Sequence, residues 1–144
     1  MSTEPRWQTA RIGDIPAAGL SAGPGYWKEW TDDEGYPTRW HSVREHFGIE
    51  AFGVNACHGE AGQEVIVPHE EDSFGGQQEL YAVIRGRVRF TCNGEEVELS
   101  AGELLFLEPD VQRAGIALET PTLVLMIGGV AGKPFEPDWE PLET

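Results

Sequence analysis

The sequence predicts an all-β protein, and three observations carry that expectation. The 18 glycines and 10 prolines are scattered between short apolar runs, the punctuation of many strands joined by frequent turns. Residues Arg87 to Cys92 alternate, with Val88 and Phe90 on one face and Arg87, Arg89 and Thr91 on the other. Asn93-Gly94 follows at once, and both residues tolerate the positive φ of a two-residue hairpin turn. At 144 residues, 40% of them hydrophobic, the chain fits one domain with a core of its own.

The elements follow in order. Residues 1–46 form an irregular arm that carries Trp7, Trp27, Trp30 and Trp40. Four tryptophans are costly to leave in water, so the arm is expected to wrap the barrel or a partner subunit. Ser42 to Phe47 allows a single helical turn, with Ser42 as N-cap and Glu45 three residues on. Ile49 to Cys57 alternates loosely, and Glu64 to Val67 is a short strand ended by Pro68. Glu70 to Gln78 is an acidic, then glycine- and amide-rich loop. Leu80 to Ile84 is nearly continuous in apolar residues and is expected to be buried on both faces.

Gly86 turns the chain. Counting outward from Asn93-Gly94 pairs Cys92 with Glu95, Thr91 with Glu96, Phe90 with Val97 and Arg89 with Glu98. That register sets an apolar pair on one face and an opposite-charge pair on the other. Leu104 to Leu107, Gln112 to Leu118 and Thr122 to Ile127 read as three more strands. The barrel thus occupies residues 47–130, and 131–144 form a tail with Trp139 as an anchor.

Composition excludes several functions. A net charge of -15 argues against a nucleic-acid surface, which needs clustered Lys and Arg, and against anionic membranes. No apolar run approaches the roughly 20 residues of a membrane-spanning helix. No signal peptide is recognised, so the expectation is a cytoplasmic protein with Cys57 and Cys92 reduced and buried. Neither cysteine has basic support nearby for a nucleophilic role.

Glu79 lies seven residues before Gly86 with an apolar strand between them, and a Gly102 to Pro109 turn follows one hairpin later. In this punctuation residues from about Phe52 to Ile127 resemble the cupin superfamily of small β-barrels. The resemblance implies a double-stranded β-helix, a jelly-roll-like barrel, in which Glu79 points into the cavity and normally holds a metal. It also implies a homodimer paired through sheet edges. At the family's spacing the histidine positions fall on Asp72 to Gly75, none of which is histidine. With Ser73 to Gln78 treated as an insertion, His69 and Glu71 take those places. In the second motif Arg113 stands where the last histidine is expected, Asp110 replaces a glycine and Ala117 an asparagine.

The set carried over by resemblance is therefore His69, Glu71, Glu79 and Arg113. Two carboxylates and an imidazole suit iron, manganese, nickel or zinc, but arginine cannot ligate a metal. A metal-free site is favoured, with Arg113 forming a charge-assisted bond to Glu79.

Three functions remain open. The first is a binding module that holds a small molecule in the barrel, with Glu79 and Arg113 as contacts and Tyr81 or Phe52 as apolar walls. The second is an enzyme, either a metal-dependent oxygenase or an isomerase with His69 and a glutamate as catalytic groups. The third is a structural or interaction protein. His41, His46 and His58 read as structural, Tyr81 and Phe90 as core first, and Arg85, Arg87 and Arg89 as neutralising glutamates such as Glu98.

Overall fold

The structure is a computed structural model that describes residues 6–15, 17–18 and 39–136. Trp27, Trp30 and Trp139 lie outside the described residues. The strands are β1 (Ala17–Ala18), β2 (Arg39–His41), β3 (Gly53–Gly59), β4 (Glu64–His69), β5 (Gln78–Arg85), β6 (Arg87–Cys92), β7 (Glu95–Ser100), β8 (Leu104–Leu107), β9 (Arg113–Ala117) and β10 (Thr122–Gly129). One short helix, α1, spans Val43–Phe47, and 3-10 turns cover Ile12–Asp14 and Asp72–Phe74.

The strands form two antiparallel sheets. One has six strands in the order β1-β2-β3-β10-β5-β8, the other four in the order β4-β9-β6-β7. Tyr81, Val83, Val124 and Met126 from the first sheet meet Val65, Val88 and Phe90 from the second in one core. The inward residues of each strand alternate with outward ones, which is why period-two patterning located most of the strands.

The β6–β7 hairpin has the register counted from its turn, from Cys92 with Glu95 to Arg89 with Glu98. Asn93 and Gly94 both adopt positive φ, at 49° and 85°. Phe90 is fully buried, whereas its partner Val97 is 38% exposed because β7 is the sheet edge. On the other face Arg89 and Arg87 approach Glu98 at 3.5 and 3.8 Å.

At Gly86, with φ of 80°, a Cβ would run into Thr122 Oγ1 and lie 2.7 Å from the Pro121 carbonyl and 2.9 Å from Thr122 Cα. Two of those three atoms are backbone and cannot step aside, so the β5–β6 turn accepts only glycine.

Several expectations need correction. The strand predicted from Ile49 starts only at Gly53, because α1 ends at Gly48 in a left-handed conformation and the chain bends before β3. Ser42 does sit at the N-cap of α1, but its side chain makes no capping bond. β4 continues through Pro68 to His69, and the missing N–H of Pro68 falls where the pairing with β9 is irregular, between Ile66 and His69.

Residues Leu80 to Ile84 are not buried on both faces. Tyr81 and Val83 point into the core, while Ile84 is 47% exposed, beside Leu104 at 61% and Phe106 at 55%. The opposite half of this outer face is covered: Ile15 and Val43 pack on Val54 and Ala56, flanked by Ile12, Phe47 and Ile49. Trp7 is exposed, and Trp40 lies half-buried at the barrel cavity.

Cys57 and Cys92 are both free thiols, one buried and one half-buried. Burial pushes the Cys57 thiol far above its ordinary range, which removes it as a nucleophile. Among the described residues no helix is long and apolar enough to cross a membrane.

Candidate functional site

A cavity of about 60 Å³ opens between the sheets at the end of the barrel where β5 begins. His69, Glu71 and Glu79 form its polar floor, with Asn55 and Gln77 alongside and Trp40 and Phe135 as aromatic walls. Since a water needs roughly 10–15 Å³ of such space, the cavity accommodates a few waters or a correspondingly small ligand.

Each floor residue is held by a different element. Glu79 is on β5, between Gly128 of β10 and Leu107 of β8. His69 ends β4 directly opposite Arg113, the first residue of β9. Glu71 lies in the following loop, which is tied to the β8–β9 turn by its own N–H donating to the Pro109 carbonyl at 2.8 Å. The loop predicted at Glu70 to Gln78 therefore has an anchored start, and the Gly75 and Gly76 positions, both at positive φ, turn it back into β5.

The geometry is tight. His69 Nε2 is 3.1 Å from Glu71 Oε1 and 3.5 Å from Glu79 Oε1. Its Nδ1 donates to the Val67 carbonyl at 2.7 Å, which fixes the ring so that Nε2 faces the two carboxylates. Glu79 Oε1 also accepts from Arg113 Nη1 and from the Tyr81 hydroxyl, both at 2.7 Å. The rest of the Arg113 guanidinium is turned to the backbone: Nε donates to Val111 O at 3.0 Å and Nη2 to Glu108 O at 2.8 Å.

Charge explains the arrangement. Burial alone would lower the His69 pKa, but the hydrogen bonds to Glu71 and Glu79 and the charge of Glu79 outweigh it and push it up to about 10. Burial also works against an ionised Glu79, yet His69, Tyr81 and Arg113 together hold its carboxyl below the usual range. At neutral pH His69 is therefore an imidazolium between Glu71 and the carboxylate of Glu79, which the Arg113 guanidinium holds from the other side.

The structure thus brings His69, Glu71, Glu79, Arg113 and Tyr81 together. Two expected roles change. Arg113 has a side chain with no exposed surface, so it cannot receive an anionic group from a ligand; it holds Glu79 from behind. Phe52 does not line the cavity, because it precedes β3 and is 43% exposed. Phe135 supplies the aromatic wall instead, stacked under Arg44 with the guanidinium carbon 5.5 Å from the ring centroid. Tyr81 does line the cavity, but its hydroxyl is committed to Glu79.

Asn55, Gln77 and Phe135 were not singled out from the sequence, and Trp40 was named only as part of the arm expected to wrap the barrel or a partner subunit. Asn55 had a usable signal, since it shares the inward face of β3 with Cys57 and a polar residue there needs a reason. In the fold it is buried, and its Oδ1 has no hydrogen-bond partner among the described residues. The side chains of Trp40 and Phe135 reach the cavity only through the fold.

His69, Glu71 and Glu79 also offer one donor atom each within 4.8 Å of one another. An imidazole with its Nδ1 bonded to a carbonyl and two carboxylates is a donor set that fits a divalent cation such as iron or manganese. Such an ion would meet Glu79 already engaged by Arg113, and would take the place of the proton on His69.

Two facing antiparallel sheets with a polar cluster at one end of the barrel define a β-barrel of the jelly-roll type. The AraC-like ligand binding domain family matches residues 57–127. Among solved structures, a sugar phosphate isomerase of the cupin superfamily from Silicibacter pomeroyi is similar at 19% identity and a TM-score of 0.62, covering 84% of this chain and 74% of that one. A cupin protein from Bacteroides fragilis is 24% identical, with a TM-score of 0.57 and coverage of 74% and 86%. KdgF from Halomonas sp. is 18% identical, with a TM-score of 0.58 and the same coverage. No curated protein matches the chain by sequence. The chain shares the fold of these cupin proteins.

Proposed function

We propose that this cupin-fold protein binds a small polar molecule at the floor of its barrel, and that the ligand is a hydrogen-bond donor such as a polyol or a small amine. One observation carries the reading: the cluster's charges are met by one another, and what faces the cavity is mostly acceptor. Glu71 and Glu79 present carboxyl oxygens, and Asn55 Oδ1 is buried in the cavity wall with no hydrogen-bond partner among the described residues. Trp40 and Phe135 would cover the apolar side of such a molecule. The match to a ligand-binding domain family supports binding as the role.

The isomerase reading is disfavoured for the metal-free protein. A histidine whose pKa is raised to about 10 already carries its proton at neutral pH and is a poor general base. A second reading, a divalent cation held by His69, Glu71 and Glu79, is favoured by their convergence within 4.8 Å. Such an ion would supply Lewis-acid polarisation of a bound hydroxyl or carbonyl.

Calorimetric titration of chelator-treated protein separates the readings. Small polyols, amines and carboxylic acids are titrated first, then manganese and zinc. The proposal expects donor-rich ligands to bind without added metal, with affinity lowered about tenfold or more in Asn55→Ala and His69→Gln. Binding that appears only after metal is restored would replace it with the cation reading. Tight binding of acids that is lost in His69→Gln would contradict both the acceptor-lined cavity and the buried role of Arg113.

A further inference from the structure

A second cavity, of about 360 Å³, lies on the outer face of the six-stranded sheet. Its lining is Arg11, Ile12, Gly13, His41, His58, Arg85, Pro121 and Leu123, of which four are basic and none is acidic. In a chain with 25 acidic residues against 10 Lys and Arg, that composition is unexpected for any surface patch. The cavity also falls in the size range of metabolite sites, about 300–1,000 Å³, which the barrel cavity does not reach.

The four basic residues come from four separate segments. Arg11 caps the 3-10 turn at Ile12, His41 is on β2, His58 on β3 and Arg85 ends β5. Arg85 arrives through a local irregularity. Tyr81 and Val83 point into the core, and strict alternation would send Arg85 the same way. The register between β5 and β10 slips between Leu123 and Val124, so Arg85 stands beside Leu123, at this outer cavity. Re-aiming one side chain is what a bulge does.

Neither arginine makes an ion pair or a side-chain hydrogen bond among the described residues, unlike Arg87 and Arg89, which meet Glu98. His41 is 4% exposed, and its Nδ1 donates to the Ile15 carbonyl at 2.8 Å. That bond fixes the ring, and Nε2 makes no hydrogen bond among the described residues. Its ring centroid lies 6.3 Å from that of His58. Two guanidiniums, a fixed and almost fully buried imidazole and the apolar sides of Ile12, Pro121 and Leu123 make a pocket with a charged rim and a greasy wall.

We infer that this outer cavity is a second binding site, for a small organic dianion, either a phosphate monoester or a dicarboxylate, held by Arg11 and Arg85 with its apolar body against Ile12 and Leu123. Guanidinium forks suit both headgroups bidentately. The overall charge of -15 repels anions at long range, so recognition here rests on local contacts. Along β10 the site is about 17 Å from the barrel cluster, five residues away and on the opposite face of the sheet.

The test titrates the full chain, at constant ionic strength, with phenyl phosphate, malonate, inorganic phosphate and a neutral aromatic alcohol. At least one organic dianion is expected to bind in the millimolar range or tighter, inorganic phosphate more weakly and the alcohol not at all. Arg11→Gln and Arg85→Gln are each expected to weaken the dianion about tenfold or more, while Arg89→Gln, which removes the same charge elsewhere, leaves it unchanged. Whichever of phenyl phosphate and malonate binds more tightly identifies the headgroup. No binding of either dianion overturns the site, as does equal loss in all three arginine variants. Loss of binding in His69→Gln with retention in Arg85→Gln would move the anion to the barrel and overturn it too.

Discussion

Replacing Arg113 with alanine is expected to destabilise the fold by about 3–5 kcal/mol, the range seen when one partner of a buried ion pair is removed. The side chain has no exposed surface, and its guanidinium answers Glu79 Oε1 and the carbonyls of Val111 and Glu108 at once. Truncation leaves a buried carboxylate with His69 and Tyr81 alone, and strips donors from two carbonyls. Urea unfolding at neutral pH measures the loss. Glu79→Ala strands the arginine in the same way, and the double variant is expected to lose less than the sum of the two singles. The coupling should fall within about 0.5–3 kcal/mol. Should Arg113→Ala fail to fold, Arg113→Lys keeps the charge but not the fork, and is still expected to be clearly destabilised. Wild-type stability in Arg113→Ala would show that the pair contributes nothing.

The second large effect is on pH dependence. His69 has an ordinary pKa of 6.5 that is raised to about 10 in the fold. A raised pKa stabilises the folded state fully below the unfolded value, and that contribution fades as pH climbs from 6.5 toward 10. Glu79 works in the opposite sense: its folded pKa is lowered from 4.5, so its contribution is present above 4.5 and is lost as pH falls through the folded value. Wild type should therefore be most favoured by this cluster between those limits. His69→Gln removes the imidazolium, and its stability deficit relative to wild type is expected to shrink by a few kcal/mol as pH rises through that alkaline window. Denaturant unfolding of both proteins at several pH values measures the gap. A gap that stays constant would mean that His69 is neutral in the fold.

Much of the fold was legible because its signals are local. The Asn93-Gly94 turn fixes the register of a hairpin whose pairs then follow by counting, and the Leu104 to Leu107 strand has the predicted limits. Pro68 misled because proline forbids a ladder donor, not a strand, and β4 tolerates it where the pairing with β9 is irregular. Leu80 to Ile84 misled because an apolar run does not say which face is covered; Ile84 is nearly half exposed.

The site was partly legible for the same reason. Glu79 and Arg113 lie at motif positions, so the spacing that finds the strands also finds them. His69 and Glu71 required a judgement about an insertion, and what resolves their position is the tether from Glu71 N to Pro109 O, a contact 38 residues away in sequence. Asn55 and Phe135 carry no motif, and their places depend on how the sheets close. Arg85, expected to neutralise glutamates with Arg87 and Arg89, is turned away by a bulge that no local pattern announces.

The central claim is that buried carboxylates at the barrel floor are balanced by a proton on His69 and by Arg113. Imidazole nitrogen NMR of the chelator-treated protein, followed from neutral to alkaline pH, tests it most directly. The account predicts that both His69 nitrogens carry protons at neutral pH, that the proton is lost only near 10, and that Glu71→Gln or Glu79→Gln lowers that value. A His69 that is already neutral at pH 7 in the wild-type protein would contradict it.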